Sequence, residues 1–239
     1  MGGKLSVYGV TNEGNVRAEN EDRIWFASDG SKAVCVVADG IGGSHDGSIA
    51  SESIIKSAER FWLRSPEKLK LSGIFSEAHS EIRNISSETG IVSGTTASVL
   101  YVNGDTYAIM HVGDSRIYRL SGGLIKKIEC LTKDDTWIAK RIEEGVLTEK
   151  EALAHPKRHT LTDCIGMRAH YQASEYEGTL AKGDVFMLCS DGLYNCVTIH
   201  EMKCVLSRNN KPEKMSENLI HKALSRAGKD NISVIVLKV

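Results

Sequence analysis

Residues 35–47 read CVVADGIGGSHDG, an apolar run that stops on an aspartate and passes into a glycine-rich turn. A strand bound for the core has two reasons to end this way. Glycine-rich turns after strands can cradle phosphates with backbone N–H groups. Alternatively the acid is the functional group, and the glycines only make room around it.

The same arrangement recurs outside this stretch. KAVCVVAD ends at Asp39, TYAIMHVGD at Asp114 and DVFMLCSD at Asp191, while Asp230 stands directly before NISVIVLKV. A lone aspartate at a strand end reads as a turn or cap residue. Four of them, from runs spread along the chain, point to strand ends brought together at one place. Carboxylates gathered at a poorly hydrated edge repel one another, at a cost of several kcal/mol per uncompensated ion, by order of magnitude. A hard divalent cation relieves that cost, because carboxylates and backbone carbonyls are its preferred ligands. No histidine or cysteine accompanies these acids at ligand spacing, so magnesium or manganese is expected over zinc. His155 and His159 are four apart, but Pro156 breaks the helix that a zinc pair would need, and both are expected in a loop.

Upstream, NVRAENEDRIWF (15–26) sets an arginine and three acids before an apolar strand. Arg17 can grip a phosphate with its planar guanidinium, and Glu21 and Asp22 can hold metal-bound waters.

The rest of the chain is consistent with one globular unit. It has 239 residues, 41% hydrophobic and 26% charged, and a formal net charge of -1, so no global field argues for nucleic acid or an anionic membrane. No run is long and apolar enough to span a bilayer, and MGGKLSVYGV lacks a secretory layout, so a soluble, cytoplasmic protein without stable membrane insertion is expected. MGGKLS does fit the short N-myristoylation pattern at Gly2, as chance matches also do. Six cysteines show neither a CxxC pair nor zinc spacing and are expected as buried free thiols.

Strand-like runs dominate: KLSVYGV, RIWFAS, KAVCVVAD, TASVLYV, TYAIMHVGD, SRIYRL, GLIKKI, YQASEYEG, DVFMLCSD and NISVIVLKV. Short turns such as Asn103-Gly104-Asp105 and Ser121-Gly122-Gly123 favour antiparallel hairpins. Helical spacing appears at Ala50, Ile54, Ala58, Phe61 and Trp62, again at Leu71, Ile74, Phe75, Ala78, Ile82 and Ile85, and near the end at Met215, Leu219, Ile220 and Ala223. The expected fold class is α+β: a four-layer α-β-β-α sandwich of two largely antiparallel sheets flanked by helices.

The ordered set RAENED (17–22), DGIGG (39–43), SGTTA (93–97), GDSR (113–116), LT then D (131–134), HTLTDCIG (159–166), SDGL (190–193) and KDNISVIV (229–236) resembles the metal-dependent protein phosphatases of type 2C, and most of all their compact bacterial-type serine/threonine members. The likeness runs from about residue 7 to the C-terminus. It implies a single catalytic domain over 1–239, with a flap over about 132–167, and a site of two Mn²⁺ or Mg²⁺ ions. By position it makes Asp39 the bridge between the ions and Gly40 a carbonyl ligand, with Asp191 and Asp230 completing the set. Asp22 would act through water with Glu21 beside it, Asn231 would support the last ligand, and Asp114 with Asp191 would form a third, weaker site. The implied reaction is attack of a hydroxide held between the ions on phosphoserine or phosphothreonine in proteins. Arg17 would orient the phosphoryl group, with Asp39 and Asp191 at the reacting centre.

The resemblance is incomplete at four positions. Ser44 stands where bacterial members carry a histidine and Ile41 where the animal-type enzymes do, which leaves the general acid to His45 or to a metal-bound water. Asp135 replaces a common histidine and Asp163 a common arginine of the flap. Phosphorylated proteins and an opposing serine/threonine kinase are the implied partners. Two other readings stand beside this one: an inactive pseudophosphatase, whose mark would be lost acids, and a phosphatase of a sigma-factor regulator.

Overall fold

Alternation with period two governs the architecture. In the computed structural model, which describes residues 4–42, 45–123, 125–208 and 210–239, with the side chains of His45 and Leu153 excepted, strand β3 (Lys32–Ile41) is buried on both faces. Val34, Val36 and Ala38 pack under helices, whereas Ala33, Cys35 and Val37 point the other way, into a layer between two sheets. A strand covered on both sides has to be apolar at every position, which is why AVCVVA reads as a continuous run.

The first sheet follows the order β1-β11-β10-β7-β8, with β1 Ser6–Asn12, β7 Arg116–Ser121, β8 Lys127–Cys130, β10 Val185–Cys189 and β11 Ile232–Lys238. The second has the order β2-β3-β5-β6-β9, with β2 Asp22–Ser28, β5 Ala97–Asn103, β6 Thr106–Val112 and β9 Ser174–Thr179, and the short β4 (Gly94–Thr95) pairs with the end of β3. All the pairings are antiparallel. Helices α1 (His45–Arg64) and α2 (Leu71–Thr89) cover the second sheet through Ala50, Ile54, Phe75 and Ile82. The first sheet is covered by α5 (Asp191–Tyr194), α6 (Ile199–Leu206) and α7 (Pro212–Leu224). The four layers expected from the sequence are therefore present.

The 132–167 segment carries α3 (Trp137–Glu143) and α4 (Glu149–Leu153), each opened by a threonine whose hydroxyl accepts an N–H of the first turn. Two isolated bridges, Thr136 with Leu161 and Thr95 with Ile165, tie it together and to β4.

Three expectations change in detail. The strand expected at GLIKKI begins at Lys127, because its pairing runs from Ser121↔Lys127 to Tyr118↔Cys130 and leaves a longer hairpin loop. The strand expected to stop at Asp39 continues to Ile41 through its pairing with β4. Of the six free cysteines, Cys35, Cys164 and Cys189 are buried, but Cys130 and Cys204 are exposed and Cys196 is intermediate. Among the described residues no helix is long and apolar enough to cross a membrane. Gly2 lies outside the described residues.

Candidate metal centre

The layer between the sheets changes character toward one end, along the same alternation that builds it. On β3 the inward series runs Ala33, Cys35, Val37 and then Asp39; on β2 it runs Phe26, Ile24 and then Asp22. Cross-strand register sets Asp22 opposite Asp39. Between apolar core and carboxylates lies a band of hydroxyls in the same phase: Thr96 and Ser98 before and on β5, Ser115 before β7, Ser190 after β10 and Ser233 on β11, all buried. Ser190 and Ser233 donate to Asp22 Oδ2 at 2.6 and 2.7 Å, and Ser190 Oγ also accepts the Ser233 N–H. Thr96 Oγ1 accepts the Asp39 N–H at 2.9 Å and bonds Ser115 Oγ at 2.9 Å. Thr95 and Thr96 donate to the Asp39 carbonyl through a hydroxyl and an N–H. The carboxylate of Asp22 and the backbone of Asp39 are fixed from below.

The other acids enter from turns. Asp114 lies in the β6–β7 connection, where Tyr194 donates its hydroxyl to the Asp114 carbonyl at 3.0 Å. Arg116 stacks its guanidinium 3.7 Å over the Tyr194 ring and grips both oxygens of Asp134 at 2.8 and 2.7 Å. This joins the GDSR and LT-then-D motifs into one brace under Asp114. Asp191 is the first residue of α5, with Asn195 Nδ2 donating to its Oδ2 at 3.1 Å. Asp230 precedes β11, and the adjoining Asn231 pins the 13–21 loop: its Oδ1 accepts the Glu21 N–H, and its Nδ2 donates to the carbonyls of Glu13 and Glu19.

The electrostatics follow from this crowding. The Asp39 carboxyl is held well above the usual range, by burial first and then by Asp22, Asp191, Asp114 and Asp230. Asp22 is pushed up to about 7 by burial, against the two serine hydroxyls. Asp114 rises to about 7 through burial and the charges of Asp191 and Asp134. Burial also raises Glu21. Asp22 Oδ1 and Glu21 Oε1 are buried with no hydrogen-bond partner.

Buried acceptors without donors, set among carboxylates that resist ionisation, match the donor chemistry of an oxygen-seeking cation. Among the described residues, no three His, Cys, Asp or Glu side chains close into a complete ligand group. Asp230 is engaged by Arg17, whose Nη2 lies 2.9 Å from Asp230 Oδ2. The residues present therefore fit divalent ions by donor chemistry and by their unsatisfied oxygens.

All of Arg17, Glu21, Asp22, Asp39, Gly40, Asp114, Asp191, Asp230 and Asn231 converge on this end of the sandwich. The side chain of His45 lies outside the described residues, as do Gly43 and Ser44. The close approaches that demand glycine are elsewhere: a Cβ on Gly40 would run into the Gly47 carbonyl, and one on Gly47 would run into Glu21 Oε1. Gly47 lets the first turn of α1 sit against the acids, a role that sequence alone did not suggest.

His159 is in a loop, as expected, yet it reaches the site. Its Nδ1 lies 3.5 Å from Asp191 Oδ2, and its pKa is raised by that contact. Arg158 Nε donates to its Nε2 at 2.7 Å. Asp135 clamps the start of the flap segment to the turn before Asp114: its carboxylate accepts the Gly113 N–H, its own N–H donates to the Gly113 carbonyl, and burial raises it to about 6. Asp163 caps the N–H groups of Cys164 and Gln172. Neither departure from the family pattern leaves a loose charge.

Known proteins resemble this chain in sequence and in fold. The family model described as Protein phosphatase 2C matches residues 15–225. The serine/threonine phosphatase stp of Listeria monocytogenes is 27% identical over 238 residues, 95% of this chain and 93% of that protein. A serine/threonine phosphatase of S. agalactiae superposes with a TM-score of 0.88 at 28% identity, covering 98% of this chain and 99% of that one. The catalytic domain of the serine threonine protein phosphatase PstP, solved in complex with two manganese ions, does so with a TM-score of 0.86 at 27% identity, covering 98% of each chain.

Proposed function

The chain belongs to the protein phosphatase 2C family, and from that premise we propose that its acidic cleft is where phosphoserine and phosphothreonine in proteins are hydrolysed. The observation that carries the reading is the convergence of Asp22, Asp39, Asp114, Asp191 and Asp230, with unsatisfied buried oxygens on Asp22 and Glu21 and with Arg17 paired to Asp230. Residues 1–239 act as one catalytic domain in this reading.

Asp39, the Gly40 carbonyl, Asp191 and Asp230 would hold two Mn²⁺ or Mg²⁺ ions, with Asp22 and Glu21 acting through water and Asp114 with Asp191 offering a third position. When bound, such ions lower the pKa of water enough to supply hydroxide near neutral pH and stabilise charge on the phosphoryl oxygens. The chain's own residues do the rest. Arg17, now on Asp230, swings to the phosphoryl group and offers parallel N–H donors to two of its oxygens. Asp22 stays fixed by Ser190 and Ser233, so the cleft floor does not rearrange as charge develops. His159 Nδ1 holds a proton beside Asp191 and would deliver it to the leaving alkoxide, the role left to His45 or a metal-bound water by the sequence.

A pseudophosphatase is disfavoured because every core acid is retained, and nothing favours a sigma-factor regulator over other phosphoproteins. The physiological setting in this reading is cytoplasmic, opposite a serine/threonine kinase. The test is hydrolysis of p-nitrophenyl phosphate: turnover that requires Mn²⁺, is lost on chelation and is lost in Asp39→Asn supports the site, and full activity in that variant would sink it.

A further inference from the structure

We propose that a cavity beside the acidic cleft is a subsite for an apolar side chain of the phosphoprotein, one or two positions from the phosphoresidue; this rests on the phosphatase reading above. The cavity has a volume of about 230 Å³ and lies between Ile41 at the end of β3 and Leu161, Cys164 and Met167, with His159 at its edge. His159 also touches Asp191, which sets the cavity beside the cleft. Ile41 is two residues beyond Asp39, on the order of 7 Å at the rise of a strand. An extended substrate advances about 3.3 Å per residue, so a neighbour two positions from the phosphoresidue spans that distance, and a long side chain one position away reaches across it.

The lining specifies the chemistry of the occupant. The polar groups at the rim are already engaged: Asp163 accepts the N–H groups of Cys164 and Gln172, and Arg168 Nη1 donates to the Thr162 carbonyl at 2.8 Å. Most of the surface the cavity presents is aliphatic and thioether, from Ile41, Leu161, Cys164 and Met167, on which an apolar side chain gains burial. A cavity of about 150 Å³ with apolar walls takes up benzene, so this one has room for leucine or phenylalanine. Apolar surface also continues outward. Ile91 and Val92 are 45% and 61% exposed, just before Gly94, where an added Cβ would lie 3.2 Å from both Cys164 Sγ and Met167 Cβ.

The experiment uses the Mn²⁺-loaded full chain and phosphothreonine peptides that differ only in carrying Leu, Ala or Glu at each of the two positions on either side, with p-nitrophenyl phosphate, which carries no neighbouring residue, as the reference substrate. At one position the wild type should show kcat/KM about tenfold or more higher for Leu than for Ala, with Glu below both. The Leu/Ala ratio, read within each enzyme, should collapse toward one in Met167→Glu and survive in Met167→Leu; Met167→Ala, with an intermediate ratio expected, decides if the glutamate variant does not fold. Turnover of p-nitrophenyl phosphate with no Leu preference at any position would overturn the subsite and leave the phosphatase reading standing. Failure to hydrolyse p-nitrophenyl phosphate at all would overturn both.

Discussion

Asp22→Asn separates what the acids do for the fold from what they do for the metal. Asp22 is 1% exposed, and its pKa is raised from 3.8 to about 7. A carboxyl raised on folding contributes stability below its unfolded pKa and loses it as pH rises through the folded value. About three units at about 1.36 kcal/mol each give a ceiling of about 4 kcal/mol, lost between pH 4 and pH 7 in the metal-free chain. Asparagine keeps the geometry: its carbonyl oxygen can accept from Ser190 and Ser233 as Asp22 Oδ2 does, and its amide takes the place of the partnerless Oδ1. In chelator at pH 8 the variant should therefore be more stable than the wild type by about 2 to 4 kcal/mol, or on the order of 5 to 10 °C in Tm. At pH 4.5 the two should converge. Added Mn²⁺ should reverse their order, since only the wild type regains a charge that a cation can use. Calorimetric unfolding across pH, with and without metal, reads all three arms. A variant less stable than the wild type in chelator at pH 8, or a difference that ignores pH, would refute the reasoning.

Arg17→Ala should lower kcat/KM on phosphopeptides by about 10² to 10³ in steady-state assays, because it removes the donors that face developing phosphoryl charge. Asn231→Ala removes three bonds to the 13–21 loop and should cost about 10- to 100-fold in metal affinity, measured by Mn²⁺ titration of activity. Gly47→Ala should lower stability by about 1 to 3 kcal/mol in denaturant titration, since its methyl group meets Glu21 and the backbone of Gly40. Burial depresses His111 from 6.5 to about 4, so its contribution is complete above pH 6.5 and declines by about 3 kcal/mol as pH falls to 4. His111→Phe, whatever its absolute stability, should lack that part of the slope in pH-dependent unfolding.

Sequence periodicity carried the reading as far as the strand ends. Runs such as AVCVVA and VFMLC announce buried strands because covering both faces leaves no polar position, and an acid closing such a run stands out. The band of Thr96, Ser98, Ser115, Ser190 and Ser233 was no less regular, but each hydroxyl is unremarkable on its own strand. Only the register across both sheets makes them one layer. The Arg116–Asp134 brace and the reach of His159 to Asp191 join segments 18 and 32 residues apart through loops whose paths no local propensity fixes. Gly47 was hidden for a similar reason: a glycine near a helix start is ordinary until the partner that needs its missing side chain is known. A continuation of the period-two count past the last hydrophobic residue of each strand would have found the hydroxyls.

Strand β11 is an interior strand of its sheet, between β1 and β10, and Asp230 sits at its threshold. On the ribosome this order has a consequence. β1 and β10 emerge with no partner for the edges they will share, and Arg17 waits some 200 residues for the carboxylate it holds at rest. Until β11 is inserted, Asp39, Asp114 and Asp191 face a first sheet that is still open. Competence for chemistry and closure of the sheet arrive together, with the last strand, so an incomplete chain is denied both.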